Sequence, residues 1–374
     1  MRIALVAPLA EAVPPKLYGG TERVVSWLAE ELVRQGHQVT LFASGDSETT
    51  ANLVACAPQA LRLGGIRDHV ASTLSMLREV RCRADEFDII HFHIDLLPHA
   101  FFHDLAYKCL TTQHGRLDQP DFMPLYKAYP EMPLVSISNA QRRPMPASAN
   151  WLATIPHGIA PHVCPFDPKG AGDYLAFLGR ISPEKRPDRA IEIAKRAGVS
   201  LKIAAKVDHV DLEYFKAEIE PLLDHPLVEF IGEINDSQKC QFLGQARALL
   251  FPIDWPEPFG LVTIEAMSAG TPVIAWRNGS VPEIIRDRVS GIIVDSIDSA
   301  VAAVQEVSKL NRRAVRAEFE ARFTAARMAR NYVAAYRSLL ARASAKTETI
   351  FSATPRAAVM ELTPGTPAQV KIAS

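Results

Sequence analysis

The sequence has few cysteines and no long apolar run. Its five cysteines are scattered over 374 residues, odd in number and without a CxxC spacing. This usage argues against a disulfide framework or a zinc site and favours a reducing, intracellular setting. No apolar stretch approaches the roughly 20 residues that a membrane-spanning helix needs. The first run, MRIALVAPL, predicts a strand rather than a signal peptide, so we expect a cytoplasmic protein.

The chain also lacks an excess of charge of either sign. Its formal net charge is −1, with 41 basic and 42 acidic residues, whereas a nucleic-acid-binding domain usually carries a basic excess. We therefore expect no nucleic-acid partner. Hydrophobic residues make up 48% and charged residues 22% of the chain, as in globular proteins. Because 374 residues are too many for one ordinary core, we expect two domains.

Short apolar runs alternate with amphipathic segments along the chain. A helix is expected after Thr21 and stops at Gly36, and the alternation begins again after a proline-rich connection at 156–172. This pattern favours an α/β fold with two doubly wound, Rossmann-like domains. Strands are predicted at Arg2–Ala7, Gln38–Ala43, Asp88–His93, Leu110–Gln113, Leu134–Ile137, Trp151–Ile155, Tyr174–Leu178, Leu201–Ala205, Val228–Ile231, Ala248–Phe251, Val273–Ala275 and Ile292–Val294.

These patterns divide the chain into four parts. Residues 1–160 form the first expected domain and residues 161–310 the second. Residues 311–342 are rich in alanine and arginine and predict helices, whereas the Ser, Thr, Pro and Ala composition of residues 343–374 predicts a loosely ordered tail. The basic side chains between 309 and 330 form either a solvated helix face or a peripheral contact with anionic membrane lipid.

The densest chemical signals lie in residues 251–276, which read FPIDWPEPFGLVTIEAMSAGTPVIAW. This stretch predicts a strand end, a proline-rich turn and a helix that begins near Gly260. Glu257 lies in the turn, and Glu265 lies inside an otherwise apolar helix, where a carboxylate needs a hydroxyl or cation partner. The free N–H groups at the helix start attract an anion. A sugar-nucleotide site fits these features; a helix cap with an exposed glutamate is the alternative.

Two further loops lie between predicted strands and helices. In Tyr18-Gly19-Gly20-Thr21-Glu22 the glycines allow close approach of a ligand to a helix N-terminus, although a plain tight turn is the alternative and the loop is not GxGxxG. In GRISPEK, Arg180 and Lys185 stand at a helix start, where the helix dipole disfavours cations. A diphosphate would resolve this conflict, and a solvated surface pair is the alternative.

Histidines supply another set of candidates. His91 and His93 alternate on one strand and share a face, and His114 follows another strand and has the better claim to face a cleft. Ordinary strand-end histidines are the alternative for the first two. A metal site that includes His99 and His103 lacks a recognisable ligand spacing, so we expect no metal.

Together these residues resemble a known family. Glu257 and Glu265 stand in EPFGLVTIEAMSAGTPVIA, with GRISPEK upstream and Gly19-Gly20 near the N-terminus. In this order and spacing, over about residues 1–340, the chain resembles the retaining glycosyltransferases of family 4 (glycosyl transferases group 1). The resemblance implies the GT-B fold, in which two Rossmann-like domains face across a cleft and the last helices cross back to the first domain.

The resemblance also implies catalytic and donor-binding roles. Arg180 and Lys185 would hold the diphosphate of the donor, and Glu265 would hydrogen-bond to the nucleotide ribose. Glu257 would face the transferred sugar, and His114 would contact that sugar near the reacting carbon.

Backbone groups complete the implied donor site. Phe259, Gly260 and Leu261 would lie near the sugar and phosphate, and Gly19 and Gly20 would close over the phosphates from the first domain. The sequence departs from the family at 279–280, a Gly-Ser pair where relatives often carry two glycines. Beyond this pair, the glutamate at 283 either belongs to the site or complements the dipole of its own helix.

The implied reaction moves a sugar from a UDP-, GDP- or ADP-sugar to a hydroxyl of a glycan, lipid or small-molecule acceptor. The resemblance implies a nucleotide-sugar co-substrate but no cofactor and no divalent metal. Two alternatives stay open: a sugar-nucleotide epimerase or hydrolase with the same fold, and a non-catalytic nucleotide-sugar binding protein.

Overall fold

The computed structural model describes residues 1–16, 19–166, 168 and 172–353. The strands that pair in the first half are β1 (Arg2–Val6), β2 (Gln38–Ser44), β3 (Asn52–Ala57), β4 (Ile89–Phe92), β5 (Cys109–Thr112), β6 (Leu134–Ser136) and β7 (Trp151–Thr154). Those in the second half are β8 (Tyr174–Arg180), β9 (Ser200–Lys206), β10 (Val228–Gly232), β11 (Ala248–Phe251), β12 (Val273–Trp276) and β13 (Gly291–Val294).

The strands form two parallel sheets within the described residues. The first has the order β3-β2-β1-β4-β5-β6-β7 and the second β10-β9-β8-β11-β12-β13. In both sheets the order reverses beside the first strand in sequence, which is where ligands bind in doubly wound folds. The predicted α/β class with two Rossmann-like domains is confirmed. Only β3 was not predicted, because it is a half-exposed edge strand without a clear apolar pattern.

Helices connect the strands and cover the sheets. Within the described residues they are α1 (Gly20–Arg34), α2 (Val70–Cys82), α3 (His99–Phe102), α4 (Met123–Ala128), α5 (Asn139–Arg142), α6 (Pro187–Ala197), α7 (Leu212–Tyr214), α8 (Asp236–Gly244), α9 (Leu261–Ser268), α10 (Val281–Ile284), α11 (Ile297–Glu306), α12 (Arg312–Arg322) and α13 (Ala325–Ala353). In α1 the apolar residues Val24, Val25, Leu28 and Leu32, which follow helical spacing, are fully buried against the first sheet, as the sequence pattern predicted.

The C-terminal helix α13 packs against α1 and the first sheet. Tyr332 and Tyr336 are fully buried there, and the Tyr336 hydroxyl lies 2.8 Å from Nδ1 of His91. The helix continues to Ala353, into the segment at 343–374 that we expected to be loosely ordered. The rest of the expected tail, residues 354–374, lies outside the described residues.

Two cysteines contradict the expectation that the chain contains no disulfide. Cys164 and Cys240 are bonded, although they are 76 positions apart in sequence. Cys240 also lies close to the residue before Cys164, with its Sγ 3.0 Å from the carbonyl oxygen of Val163. Only the tertiary fold brings these cysteines together, so their scattered spacing gave no signal.

Three arginines of α12 bind the protein itself. Arg312 donates to the carbonyl oxygen of Gly244 (2.7 Å) and Arg316 to that of Pro161 (3.0 Å). Arg322 donates to a carbonyl group at the end of α10. These three arginines therefore form neither of the two surfaces that the sequence suggested, and instead hold α12 against the ends of α8 and α10 and the connection at Pro161. Within the described residues, no helix has the length and apolar character needed to cross a membrane.

Candidate active site

A cavity of about 280 Å³ lies between the strand ends of the two sheets. All the site residues predicted from the sequence line it, namely Gly19, Gly20, His114, Arg180, Lys185, Glu257, Phe259, Gly260, Leu261 and Glu265. They come from both sheets and from segments far apart in the chain. We call this space the donor cavity. The fold brings the predicted residues together, while the chemical role of each stays a prediction.

Glu257 and Lys185 form an ion pair in the donor cavity. The Lys185 Nζ also lies 4.9 Å from the ring centroid of Trp255, and the indole Nε1 of Trp255 donates to the Glu257 carboxylate at 3.1 Å. Glu257 is buried, and a buried carboxylate needs such donors. Its position is therefore fixed by two side chains before a ligand binds.

Glu265 has the partner that its position inside an apolar helix requires. Lys239 of α8 donates to its Oε1 at 2.9 Å, so the partner in this structure is a cation. Arg23 of α1 approaches the same carboxylate from the first sheet. Burial lowers the pKa of Arg23, and the charge of Glu265 opposes this shift. The carboxylate thus meets basic groups from both halves of the chain.

The N-terminus of α9 opens into the donor cavity. Gly260, Leu261 and Val262 line it, and no side chain caps this helix start. Gly260 has φ +80°, and a Cβ there would lie 2.9 Å from the ring of Phe251, so both the backbone angle and the available space require glycine. Backbone N–H groups and the positive end of the helix dipole are therefore available to an anion.

Arg180 lies at the end of β8 among carboxylates. Its guanidinium is 2.6 Å from Glu184 and 3.4 Å from Asp211. These contacts orient the side chain that the sequence assigned to a diphosphate. Because Arg180 and Lys185 both line the cavity, the alternative of a solvated surface pair does not describe them.

His114 stands among neutral histidines. Its Nε2 lies 2.8 Å from Nδ1 of His93, and the ring of His157 stacks on it with centroids 5.2 Å apart. Burial lowers the pKa of His114 to about 3, and it also lowers the pKa of His93 and His157 well below the usual value. These imidazoles are uncharged at neutral pH and can exchange hydrogen bonds with hydroxyl groups.

His91 does not reach the cavity, although it shares a strand face with His93. It lies in the core with its Nε2 2.7 Å from the Thr112 hydroxyl. His91 therefore matches the alternative of an ordinary strand histidine. Within the described residues, no group of three or more His, Cys, Asp or Glu side chains is arranged to hold a metal ion.

A second cavity, of about 360 Å³, adjoins the donor cavity. The two share Thr21 and His114. We call it the first-sheet cavity, because its lining follows β1, β4 and β5. Asp95 faces it, and the protein around this carboxylate raises its pKa to about 6.

Several residues that line the cavities were not predicted from the sequence. Arg23, Lys206 and Lys239 line the donor cavity, but each looked like an ordinary exposed cation in the sequence. His157 had a usable signal, because His157-Gly158 follows β7 as His114-Gly115 follows β5.

The turn before α10 supports the loop that carries Glu257. Gly279 has φ +53°, and a Cβ there would lie 2.3 Å from the backbone nitrogen of Glu257, so this position requires glycine. Ser280 replaces the second glycine common in the resembled family, and its hydroxyl donates to the carbonyl oxygen of Phe259 at 3.0 Å. The departure therefore adds a hydrogen bond.

Glu283 connects the two halves of the chain. Its carboxylate accepts hydrogen bonds from the backbone N–H groups of Asn139 (2.8 Å) and Ala140 (2.7 Å). It therefore caps α5, on the first sheet, rather than only complementing the dipole of its own helix α10.

Comparisons with known proteins agree with this architecture. The family model described as Glycosyl transferases group 1 matches residues 167–324, and the model described as Glycosyltransferase Family 4 matches residues 18–163. A relative, phosphatidyl-myo-inositol mannosyltransferase of Mycobacterium leprae (strain TN), is 26% identical over 355 residues, which cover 86% of this chain and 90% of that protein.

Two solved structures share the fold. Sucrose-phosphate synthase from Thermosynechococcus elongatus superposes with a TM-score of 0.75 at 17% identity and covers 91% of this chain and 99% of its own. Anabaena Alr3699/HepE in complex with UDP and glucose superposes with a TM-score of 0.69 at 17% identity and covers 90% of this chain and 100% of its own. At these identities the likeness concerns the fold alone.

Proposed function

Because the chain belongs to the family 4, group 1 glycosyltransferases and has the GT-B fold, we propose that it transfers a sugar from a nucleotide-diphosphate donor to an acceptor hydroxyl with retention of configuration. One observation carries the proposal. The residues that the sequence singled out, from both sheets, line a single cavity with five basic side chains and three carboxylates. A sugar joined to an anionic diphosphate matches this mixture of charges.

The basic side chains and the α9 N-terminus stabilise the leaving group in this proposal. Breaking the bond between the sugar carbon and the phosphate oxygen leaves negative charge on the diphosphate. Arg180, Lys185 and residues 260–262 line the same cavity, and in this proposal their side chains and amides would meet that charge, since fixed donors of this kind are an effective way to stabilise a transition state. Lys185 would exchange its contact with Glu257 for the phosphate.

Glu257 and His114 serve the transferred sugar. As the sugar carbon gains positive charge, the Glu257 carboxylate stabilises it and binds sugar hydroxyls. The neutral imidazole of His114 donates to or accepts from a hydroxyl near the reacting carbon. Glu265 binds the ribose hydroxyls of the nucleotide.

The acceptor hydroxyl attacks the sugar carbon on the same face from which the diphosphate departs. A bond forms between the acceptor oxygen and the sugar carbon, and the hydroxyl proton leaves with the diphosphate. The first-sheet cavity opens beside His114, so it can bring an acceptor to that face. Closure of the two domains would exclude water and limit hydrolysis of the donor.

The reaction needs no divalent metal in this proposal, because basic side chains and helix amides neutralise the leaving diphosphate. We propose a UDP-, GDP- or ADP-sugar as the donor and a glycan, lipid or small molecule as the acceptor. The solved Anabaena relative contains UDP and glucose, which supports including UDP-glucose among the donors tested.

Two structural features bear on the cytoplasmic location and peripheral membrane contact that the sequence suggested. The Cys164–Cys240 bond weighs against the cysteine argument for a reducing compartment. The α12 arginines hold the protein's own carbonyl groups, so they give little support to lipid binding.

The experiment that tests the function is a panel of nucleotide sugars measured by calorimetry and by nucleotide release, with chelator present. We expect one donor to bind tightly and to release its nucleotide slowly until an acceptor extract is added. Retention is read from the anomeric configuration of the product by NMR. Complete donor turnover without an acceptor would favour the epimerase or hydrolase alternative. Binding without any turnover would favour a non-catalytic binding protein, and absence of binding would refute the donor site.

A further inference from the structure

The first-sheet cavity has a different chemical character from the donor cavity. It lies beyond the ends of β1, β4 and β5 and is lined by 8–10, 93–95 and 114–115, with contributions from α1 and from the start of α2. Its volume of about 360 Å³ is within the range of small-ligand sites. Because it shares Thr21 and His114 with the donor cavity, a molecule bound in it touches the place where the donor sugar would lie.

The described residues that line this cavity include no lysine or arginine. The polar groups are the carboxylate of Asp95, the hydroxyls of Thr21 and Thr73, and imidazoles. Burial lowers the pKa of His93 and His114, so these two imidazoles carry no positive charge at neutral pH. A phosphate needs cations or several N–H donors, and a nearby carboxylate repels it. Ring hydroxyls, in contrast, can donate to the carboxylate and exchange hydrogen bonds with neutral groups.

Asp95 has an unusual backbone conformation in this cavity. Its backbone has φ +53°, a left-handed conformation that aspartate adopts more readily than most other residues. The backbone of His114 lies near its carboxylate and favours the charged form, and both residues line the cavity. Asp95 is exposed to the cavity yet surrounded by protein, which raises its pKa to about 6. It is therefore a carboxylate that can accept hydrogen bonds from a ligand in the cavity.

We propose that the first-sheet cavity binds the acceptor as an uncharged, polyhydroxylated ring, that Asp95 orients a ring hydroxyl, and that phosphorylated rings are excluded. The proposal rests on the glycosyl transfer proposed above and specifies its acceptor class. An acceptor hydroxyl held by Asp95 beside His114 lies next to the donor sugar, so recognition and positioning for attack would occur at the same point.

The test compares neutral rings with their phosphates as acceptors. The probes are glucose, mannose and myo-inositol and the corresponding monophosphates, each added to the enzyme with its saturating nucleotide sugar while nucleotide release is followed. We expect a neutral ring to accelerate nucleotide release. Its phosphate should accelerate release at least about tenfold less, because the site offers the phosphate charge no partner. Equal or better use of the phosphate, or no effect of either kind of ring, would overturn the proposal.

Asp95→Asn is the matched variant, because asparagine also tolerates the left-handed backbone. We expect its KM for the neutral ring to rise about tenfold, with kcat and donor affinity changed less than about twofold. The control is Asp104→Asn, at an exposed aspartate that pairs with Arg81 on the surface, and it should match the wild type. An unchanged acceptor KM in Asp95→Asn would also overturn the proposal.

The dependence of acceptor KM on pH separates a binding carboxylate from a structural one. Protonation of Asp95 below about pH 6 removes the charge, so wild-type KM should rise there, and Asp95→Asn should lack this rise. The titratable groups around Asp95 are His69, His93, His114 and Tyr126. Donor affinity measured in the same samples tests glycosyl transfer separately: if no donor binds, the proposed function fails, and if a donor binds but ring selectivity is absent, only this inference fails.

Discussion

The two cavities that meet at Thr21 and His114 hold their polar groups in opposite ways. In the donor cavity, cations and carboxylates form pairs such as Lys185–Glu257. In the first-sheet cavity, burial lowers the pKa of His93 and His114 so that they lose their charge, and the described lining contains no lysine or arginine beside Asp95. Paired groups keep their charge when buried, whereas unpaired ones titrate toward neutrality. The comparison teaches that one cavity suits an ionic ligand and the other a neutral one.

The largest expected effect comes from removing a cation of the donor cavity. Lys185→Ala should lower kcat by roughly 100-fold or more with saturating donor, because a fixed charge contact to the leaving diphosphate is lost. The same change leaves the buried Glu257 without its cation. Steady-state nucleotide release measures the effect. Lys195→Ala, at an exposed lysine on α6, is the control, and near-wild-type turnover in Lys185→Ala would refute the assigned role.

The turn at Gly279 supports the donor cavity and does not line the first-sheet cavity. A change there should therefore affect donor binding rather than acceptor binding. Gly279→Ala places a methyl group 2.3 Å from the backbone nitrogen of Glu257 at φ +53°. We expect the free energy of unfolding to fall by about 2–3 kcal/mol and donor binding to weaken. Urea unfolding and calorimetry measure these effects. Gly244→Ala, where a Cβ has open space, should change stability little, and equal stabilities of the two variants would contradict the prediction.

The contact between His93 and His114 belongs to the first-sheet cavity, and removing it tests whether this neutral pair matters for the reaction. His93→Ala should lower kcat about tenfold, because loss of one buried hydrogen bond lets His114 leave its orientation. Donor affinity should change less than about twofold. His93→Asn can place an amide where the Nδ1 atom stood, so it should recover most of kcat. A variant whose kcat and donor affinity fall together, with no recovery in His93→Asn, would indicate a structural role instead. His103→Ala, at an exposed histidine, is the control.

Acid should destabilise the histidine cluster but not the paired charges. The pKa is lowered by burial in His91, His93, His114 and His157. These groups stay neutral in the folded protein, while the unfolded chain takes up protons below about pH 6.5. Stability should therefore fall by about 1 kcal/mol per histidine from about pH 7 to about pH 5.5, partly opposed by Asp95, whose raised pKa favours the folded state in acid. Urea midpoints at the two pH values test this, and equal midpoints would contradict it.

Sequence reasoning recovered the donor cavity far better than the first-sheet cavity. The donor cavity contains Glu257, Glu265 and Lys185, each at a position where a charge is unfavourable without a ligand or partner. Such local conflicts can be recognised from neighbouring residues in the sequence. Lys239 and Arg23 show no local conflict. They were missed because only packing of α8 and α1 brings them to Glu265. Asp95 was missed for the same reason, since its left-handed backbone and its contact with His114 do not appear in the spacing of residues.

The sequence by itself determined the alternation of strands and helices, the GT-B class and the residues of the donor cavity, because periodicity and local chemistry are carried by neighbours in the chain. The tertiary structure alone decided which charges pair, that Cys164 reaches Cys240, that Glu283 caps α5, and that a neutral cavity opens beside His114. These features join residues far apart in sequence, and the free energies of burial and pairing that fix them depend on three-dimensional surroundings.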